Sequence, residues 1–123
     1  MSVPETISAI EEDYSREASR TITLAGLAEA WMRFADDIGA GYWGTIDDFT
    51  NDMFRRDMLE LALSRVGPSD RQWLGGLIEA GDARYIEVTK EDPGWLARYF
   101  RHADYWWWYR APRLLGHLED HRR

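Results

Sequence analysis

Apolar side chains recur every three or four residues over most of the chain, which is the period of an amphipathic α-helix. The first such run lies within residues 3–20, where acidic residues separate Val3, Ile7, Ile10 and Tyr14. A second run begins at Thr23 and ends at the glycines of the segment GAGYWG, residues 39–44. Its apolar stripe consists of Leu24, Leu27, Ala28, Trp31, Ala35 and Ile38. The pattern therefore predicts two helices in the first part of the chain.

A third helix is predicted between Thr45 and the Gly67-Pro68 pair. The Thr45 hydroxyl can accept a hydrogen bond from the backbone N–H of Asp48 while that carboxylate reaches back, which is a capping box. Within this helix Arg56 lies four residues from both Asp52 and Glu60. Residues at this spacing are neighbours on a helix surface, so we expect two ion pairs along a solvated face.

Ser69 is the predicted cap of a fourth helix, in which Gly75 and Gly76 weaken the helix and allow close packing. One face of this helix contains Leu74, Leu77, Ile78, Gly81, Tyr85 and Val88. Asp92 followed by Pro93 then predicts the start of a short fifth helix. Its apolar stripe is Trp95, Leu96, Tyr99 and Phe100.

These elements predict an all-α fold, a small single-domain helical bundle of about five helices. The domain spans residues 1–123, and we expect residues 1–5 and 117–123 to be frayed. The alternative is an α+β fold with a short terminal hairpin.

The helical pattern breaks at the run YWWWY, residues 105–109, because three consecutive tryptophans cannot share one helix face. Ala111 precedes Pro112, which favours extended backbone. We therefore predict an extended aromatic strap over residues 105–111, laid across the bundle. Either helices cover both of its faces, or one or two rings stay exposed as interface anchors. In the second case the binding residues would be Trp106, Trp108 and Arg110.

Charge narrows the class of partner. The 123-residue chain has a net charge of −7, and residues 1–60 hold thirteen acidic and five basic residues. A negative field repels phosphate backbones and attracts basic surfaces, so we expect a basic protein partner and no direct nucleic-acid contact. Cysteine is absent, and no leader peptide or membrane-spanning stretch is evident, so the expected location is cytoplasmic. The oligomeric state stays open.

An acidic segment is the main candidate site. Five aspartates between Ala35 and Phe54 flank a loop with three glycines and two aromatic residues. The candidate partner-binding residues are Asp36, Asp37, Tyr42, Trp43, Asp47, Asp48 and Asp52. The acids could be ordinary helix caps, or an aromatic anchor ringed by acids could bind a basic protein surface. The motif DDFTND also resembles the aspartate-rich motif by which helical isoprenoid synthases hold magnesium and diphosphate.

Histidine gives a weaker indication of metal binding. His117 and His121 are four residues apart and could share a helix face, but no third ligand is evident. We therefore predict no metal site, no cofactor and no catalytic residues.

Three segments are similar to small bacterial proteins of the immunity type, which are encoded beside polymorphic toxins. They are TIDDFTNDMFRRDMLELAL, DARYIEVT and WWWYRAP, and the resemblance extends over residues 24–113. It implies a non-catalytic inhibitor that neutralises a basic toxin or enzyme. Two alternatives remain: a small helical enzyme with an aspartate-rich divalent-metal site, and a scaffold or oligomerisation domain.

Overall fold

The computed structural model describes residues 5–96 and 104–118. This part of the chain contains four α-helices, two short strands and a four-residue 3-10 helix, and residues 116–118 form a further 3-10 turn. In chain order they are α1 (Glu5–Ala18), α2 (Leu24–Gly39), α3 (Ile46–Arg65), α4 (Pro68–Val88), β1 (Thr89–Glu91), the 3-10 helix (Trp106–Tyr109) and β2 (Arg110–Pro112). The predicted all-α class is confirmed because the structure is mostly helical, and the strand pair is compatible with the α+β description as well. None of the described helices is both long and apolar enough to cross a membrane.

Helix α2 lies at the centre of the packing and contacts both α3 and α4. It begins as the sequence predicts, because the Thr23 hydroxyl accepts a hydrogen bond from the backbone N–H of Gly26 at 3.0 Å. Its apolar stripe is buried, with Trp31 and Phe34 in the core. Helix α1 packs against α3, where the Tyr14 hydroxyl donates to the carbonyl oxygen of Met58 at 2.8 Å.

The start of α3 is confirmed and the start of α4 is not where the sequence predicts. Thr45 and Asp48 form the complete capping box at the start of α3. Helix α4 begins at Pro68 with Gly67 as its cap, so the prediction of Ser69 as the cap is wrong. Proline fits the first helical position because its fixed φ is already helical and its missing N–H would have no partner there.

The buried stripe of α4 is narrower than predicted. It consists of Leu74, Ile78, Gly81, Tyr85 and Val88, at alternating steps of four and three residues. Leu77 falls outside these steps and is 38% exposed. The prediction that it shares the buried face is therefore wrong.

The aromatic run forms one turn of 3-10 helix over Trp106–Tyr109, so the predicted extended strap is wrong for these four residues. Tyr105 and the end of the segment are extended, and at that end β2 pairs antiparallel with β1 so that Thr89 lies opposite Pro112. Trp107 and Trp108 are both buried. Their indole N–H groups donate to the same carboxylate oxygen, Oδ1 of Asp57, at 2.7 and 2.8 Å. This shared acceptor on α3 explains why two consecutive rings face the core.

The predicted fifth helix falls largely outside the described residues, which end at residue 96 and resume at residue 104. Residues 93–96 form a turn and a bend, so the prediction that a helix begins at Pro93 is wrong for these residues. The backbone N–H of Trp95 donates to the carbonyl oxygen of Asp92 at 3.2 Å. Trp95 and Leu96 are buried, as their stripe predicts. Tyr99 and Phe100 lie outside the described residues.

Candidate functional site

The loop between α2 and α3 places its two aromatic residues in opposite environments. Tyr42 is fully buried, and its hydroxyl donates to Oδ2 of Asp52 at 2.5 Å. Burial and this hydrogen bond raise the pKa of Tyr42 well above its usual value, so the phenol stays neutral. Tyr42 is thus a core residue that ties the loop to α3, and it presents no surface to a partner.

Trp43 is the exposed residue of the pair, with 61% of its surface accessible. Its ring stacks on Tyr42, with centroids 5.6 Å apart and planes 27° from parallel. Its carbonyl oxygen lies 2.7 Å from Nδ1 of His117, which must carry the proton because a carbonyl oxygen only accepts. The indole is therefore exposed on a loop that is held from two sides.

The second support of the loop comes from the end of the described chain. The backbone N–H of His117 donates to the carbonyl oxygen of Tyr42 at 3.2 Å. Gly116 and Gly41 both have positive φ, +58° and +93°, and their backbones are in close contact. A β-carbon at residue 116 would lie 2.8 Å from the carbonyl carbon of Gly41. Only glycine permits this approach, which is the local reason that the chain closes over the loop.

A surface cavity of about 330 Å³ lies beside Trp43, between α2 and α3. We call it the Trp43 groove, and it is lined by Ala30, Arg33, Phe34, Asp36, Asp37, Trp43, Asp52 and Arg55. It brings together four of the predicted binding residues, namely Asp36, Asp37, Trp43 and Asp52. The predicted residues Tyr42, Asp47 and Asp48 do not line it.

Asp47 and Asp48 belong to the start of α3. The Asp48 carboxylate accepts a hydrogen bond from the backbone N–H of Thr45 at 3.0 Å and so completes the capping box. Asp47 is exposed in the first turn, where a negative charge interacts favourably with the helix dipole. Both residues therefore have a structural role at the helix end.

Three arginines that the sequence prediction left out modify the charge of the groove. Arg84 on α4 pairs with Asp36 at 3.0 Å, and the hydrogen bond between them raises the pKa of Arg84. Arg55 pairs with Asp52, and Arg33 lines the groove. Arg55 follows Asp52 by three residues, a helical spacing that was visible in the sequence. Arg84 is far from Asp36 along the chain, and no local pattern links the two.

The second set of candidates, in the aromatic run, is divided by the fold. Trp108 is buried, whereas Trp106 is 37% exposed beside Tyr85. The Arg110 guanidinium donates to Oγ1 of Thr89 at 2.8 Å and to backbone carbonyls of α4 and β1. Trp108 and Arg110 thus stabilise the C-terminal segment, and Trp106 alone among the three has a substantially accessible ring.

No group of three His, Asp or Glu side chains within residues 5–96 and 104–118 is arranged to hold a metal ion. Asp48 and Asp52 of the DDFTND motif bond to Thr45, Tyr42 and Arg55. His121 lies outside the described residues.

Comparison of the chain with protein-family models, with curated proteins and with solved structures gives no match. The resemblance to immunity-type proteins therefore stays a prediction.

Proposed function

We propose that this protein is a non-catalytic binding module, an immunity-type inhibitor that neutralises a basic toxin or enzyme in the cytoplasm. The observation that carries the proposal is the state of Trp43, which is 61% exposed and yet fixed by stacking and by the His117 contact. Binding energy at protein interfaces concentrates in a few aromatic anchors of this kind. An anchor that is already ordered loses little conformational entropy on binding.

The carboxylates beside the anchor support a basic partner. Asp36 and Asp37 are exposed on the rim of the Trp43 groove. Arg84 offsets the charge of Asp36, so the attraction of a basic partner rests on Asp37 and on the charge of −7 of the chain as a whole. Complementary charge accelerates association and excludes acidic competitors. The toxin-neutralising role itself rests on the resemblance of the sequence to immunity-type proteins.

Site-specific photo-crosslinking in the native cell tests the location of the interface. A photoreactive amino acid replaces Ala40, which is exposed beside the loop, or Leu61, which is exposed on α3 on the side opposite Asp52. We expect the Ala40 probe to capture one basic protein and the Leu61 probe not to capture it. Capture from Leu61 alone would place the interface elsewhere, and capture of a second copy of this chain would favour an oligomerisation domain.

The purified partner then tests the anchor. We expect Trp43→Ala to weaken binding at least tenfold and to relieve inhibition of the partner. Trp73→Ala is the matched control, because Trp73 is 37% exposed on α4 and does not line the groove. Equal inhibition by the parent protein and by Trp43→Ala would contradict the proposal.

A further inference from the structure

A second cavity of about 320 Å³ lies next to the Trp43 groove, near the start of α2. The two cavities share Ala30, Arg33 and Arg55. We call the second one the arginine pocket, and it is lined by Arg20, Thr21, Ile22, Thr23, Gly26, Leu27, Ala30, Arg33 and Arg55. Every charged side chain in its lining is an arginine. This is unusual for a chain with a net charge of −7.

Two of the arginines in the arginine pocket differ from the other arginines in their hydrogen-bond and ion-pair partners. Across residues 5–96 and 104–118, five arginines pair with carboxylates, namely Arg16, Arg55, Arg56, Arg65 and Arg84. Three donate to hydroxyl or carbonyl oxygens, namely Arg71, Arg110 and Arg113. Only the side chains of Arg20 and Arg33 have no hydrogen bond or ion pair with that part of the chain. Both of them line the arginine pocket.

The other residues that line the arginine pocket suit a small ligand that has an anionic group and an apolar part. The Thr23 hydroxyl accepts a hydrogen bond from Gly26, so its own proton is free to donate into the pocket. The positive end of the α2 dipole lies here, and the Glu11 carboxylate already accepts from the backbone N–H of Leu24 at 2.7 Å. Glu11 does not line the arginine pocket itself, but it lines an adjoining cavity that shares Thr21, Ile22 and Thr23 with the pocket. Ile22 and Leu27 are each 7% exposed, and they form the apolar part of the pocket wall.

We propose that the arginine pocket binds a phosphate monoester. Asp52 offsets the charge of Arg55, which leaves the two positive charges of Arg20 and Arg33. A phosphate monoester carries a charge of about −1.5 to −2 at neutral pH, and a planar guanidinium bonds two of its oxygens at once. The cavity reaches the size range of small-molecule sites, about 300 Å³ and above, so it has room for the group that carries the phosphate. That group is either a small molecule or a phosphorylated side chain.

Calorimetric titration at low ionic strength tests the ligand class with phenyl phosphate, with benzoate, and with one peptide in its phosphoserine and unmodified forms. We expect phenyl phosphate or the phosphopeptide to bind at least about tenfold more tightly than benzoate or the unmodified peptide. Tighter binding of phenyl phosphate would identify a small-molecule site, and tighter binding of the phosphopeptide a phosphorylated protein. Saturation by neither compound at millimolar concentration would overturn the proposal.

Two substitutions locate the binding. Arg20→Gln and Arg33→Gln should each weaken binding about tenfold, since each removes a charged donor. Arg71→Gln is the matched control, because Arg71 is exposed on α4 and donates to the carbonyl oxygen of Leu63 outside the pocket. Arg20 does not line the Trp43 groove, so Arg20→Gln separates this pocket from the protein-binding site. Equal affinities in the parent protein and in both pocket variants would overturn the assignment.

Discussion

The guanidinium carbon of Arg56 lies 4.1 Å from the centre of the Trp107 ring. Asp82 on α4 holds the same guanidinium through two hydrogen bonds of 2.8 and 3.0 Å, and Glu60 accepts a third at 3.0 Å. Asp82 also accepts from the indole N–H of Trp31 on α2 at 2.8 Å. One buried cation on α3 therefore connects two neighbouring helices and the aromatic run.

Replacing Arg56 with methionine should lower the free energy of unfolding by about 3 kcal/mol, because it leaves the Asp82 carboxylate without its cation. Arg56 is only 4% exposed, whereas 24% of the Asp82 side chain is accessible, so water and the Trp31 indole recover only part of the lost interaction. Urea denaturation measures the change. The control is Arg65→Gln, which breaks an ion pair with Asp13 on the surface and should cost at most about 1 kcal/mol. An equal decrease in the free energy of unfolding in the two variants would show that the Arg56–Asp82 pair contributes no more to stability than a surface ion pair.

Arg56 also shows what the sequence could and could not predict about the core. Its predicted pair with Glu60 is confirmed, but the predicted pair with Asp52 and the solvated face are wrong, since Asp52 pairs with Arg55 instead. The partner Asp82 lies on another helix, beyond the reach of any local spacing rule. One signal was present, because residue 56 continues the buried steps of α3 from Phe49 and Met53.

The glycines of α4 should respond to alanine with opposite signs. A β-carbon at Gly76 would meet nothing within 4 Å, so Gly76→Ala should stabilise the protein by about 0.5–1 kcal/mol through helix propensity. A β-carbon at Gly81 would lie 2.5 Å from Cδ1 of Trp31, so Gly81→Ala should destabilise it by about 1–3 kcal/mol. Thermal unfolding compares the two variants. If Gly76→Ala destabilised the protein, the result would contradict this expectation and support the prediction that Gly75 and Gly76 allow close packing.

Stability should fall at alkaline pH because of buried phenols. Burial raises the pKa of both Tyr42 and Tyr85 above the usual value near 10. As the pH rises, the unfolded chain therefore loses these protons before the folded chain does. Above about pH 10 the free energy of unfolding falls by up to about 1.4 kcal/mol per pH unit for each phenol. Below about pH 10 both phenols are neutral in the folded and the unfolded chain, so their full contribution to stability is present. Urea denaturation between about pH 8 and 11 should show a shallower decline in Tyr42→Phe and Tyr85→Phe than in the parent. A uniform slope across the parent and the two variants would contradict the assignment.

The candidate site was partly visible in the sequence. The aspartates and Trp43 lie within one loop and its flanking helix ends, so their proximity followed from the helix boundaries. The hydrophobic pattern of the sequence does not show which of two adjacent aromatic residues in a loop points inward. Tyr42 can be buried because its hydroxyl donates a hydrogen bond to Asp52. The support from Gly116 joins segments far apart in the chain, so it needed the tertiary structure.

The Gly116 contact should control how firmly Trp43 is held. Alanine at residue 116 would be strained at a φ of +58°, and its β-carbon would meet the Gly41 carbonyl carbon at 2.8 Å and the Tyr42 nitrogen at 2.9 Å. Backbone atoms cannot move aside as a flexible side chain can, so Gly116→Ala should cost about 1–3 kcal/mol and separate the terminal segment from the loop. The hydrogen bond from His117 to the carbonyl oxygen of Tyr42 would then open more often.

Amide hydrogen exchange at His117 measures this opening directly, and we expect it to be at least tenfold faster in Gly116→Ala than in the parent protein. Gly94→Ala is the control, because a β-carbon there meets nothing within 4 Å and should leave exchange at His117 unchanged. If the loop acts as a preordered anchor, the same variant should release a bound partner faster although it keeps the Trp43 side chain. Unchanged exchange at His117 in Gly116→Ala would mean that the loop keeps its position without the glycine contact.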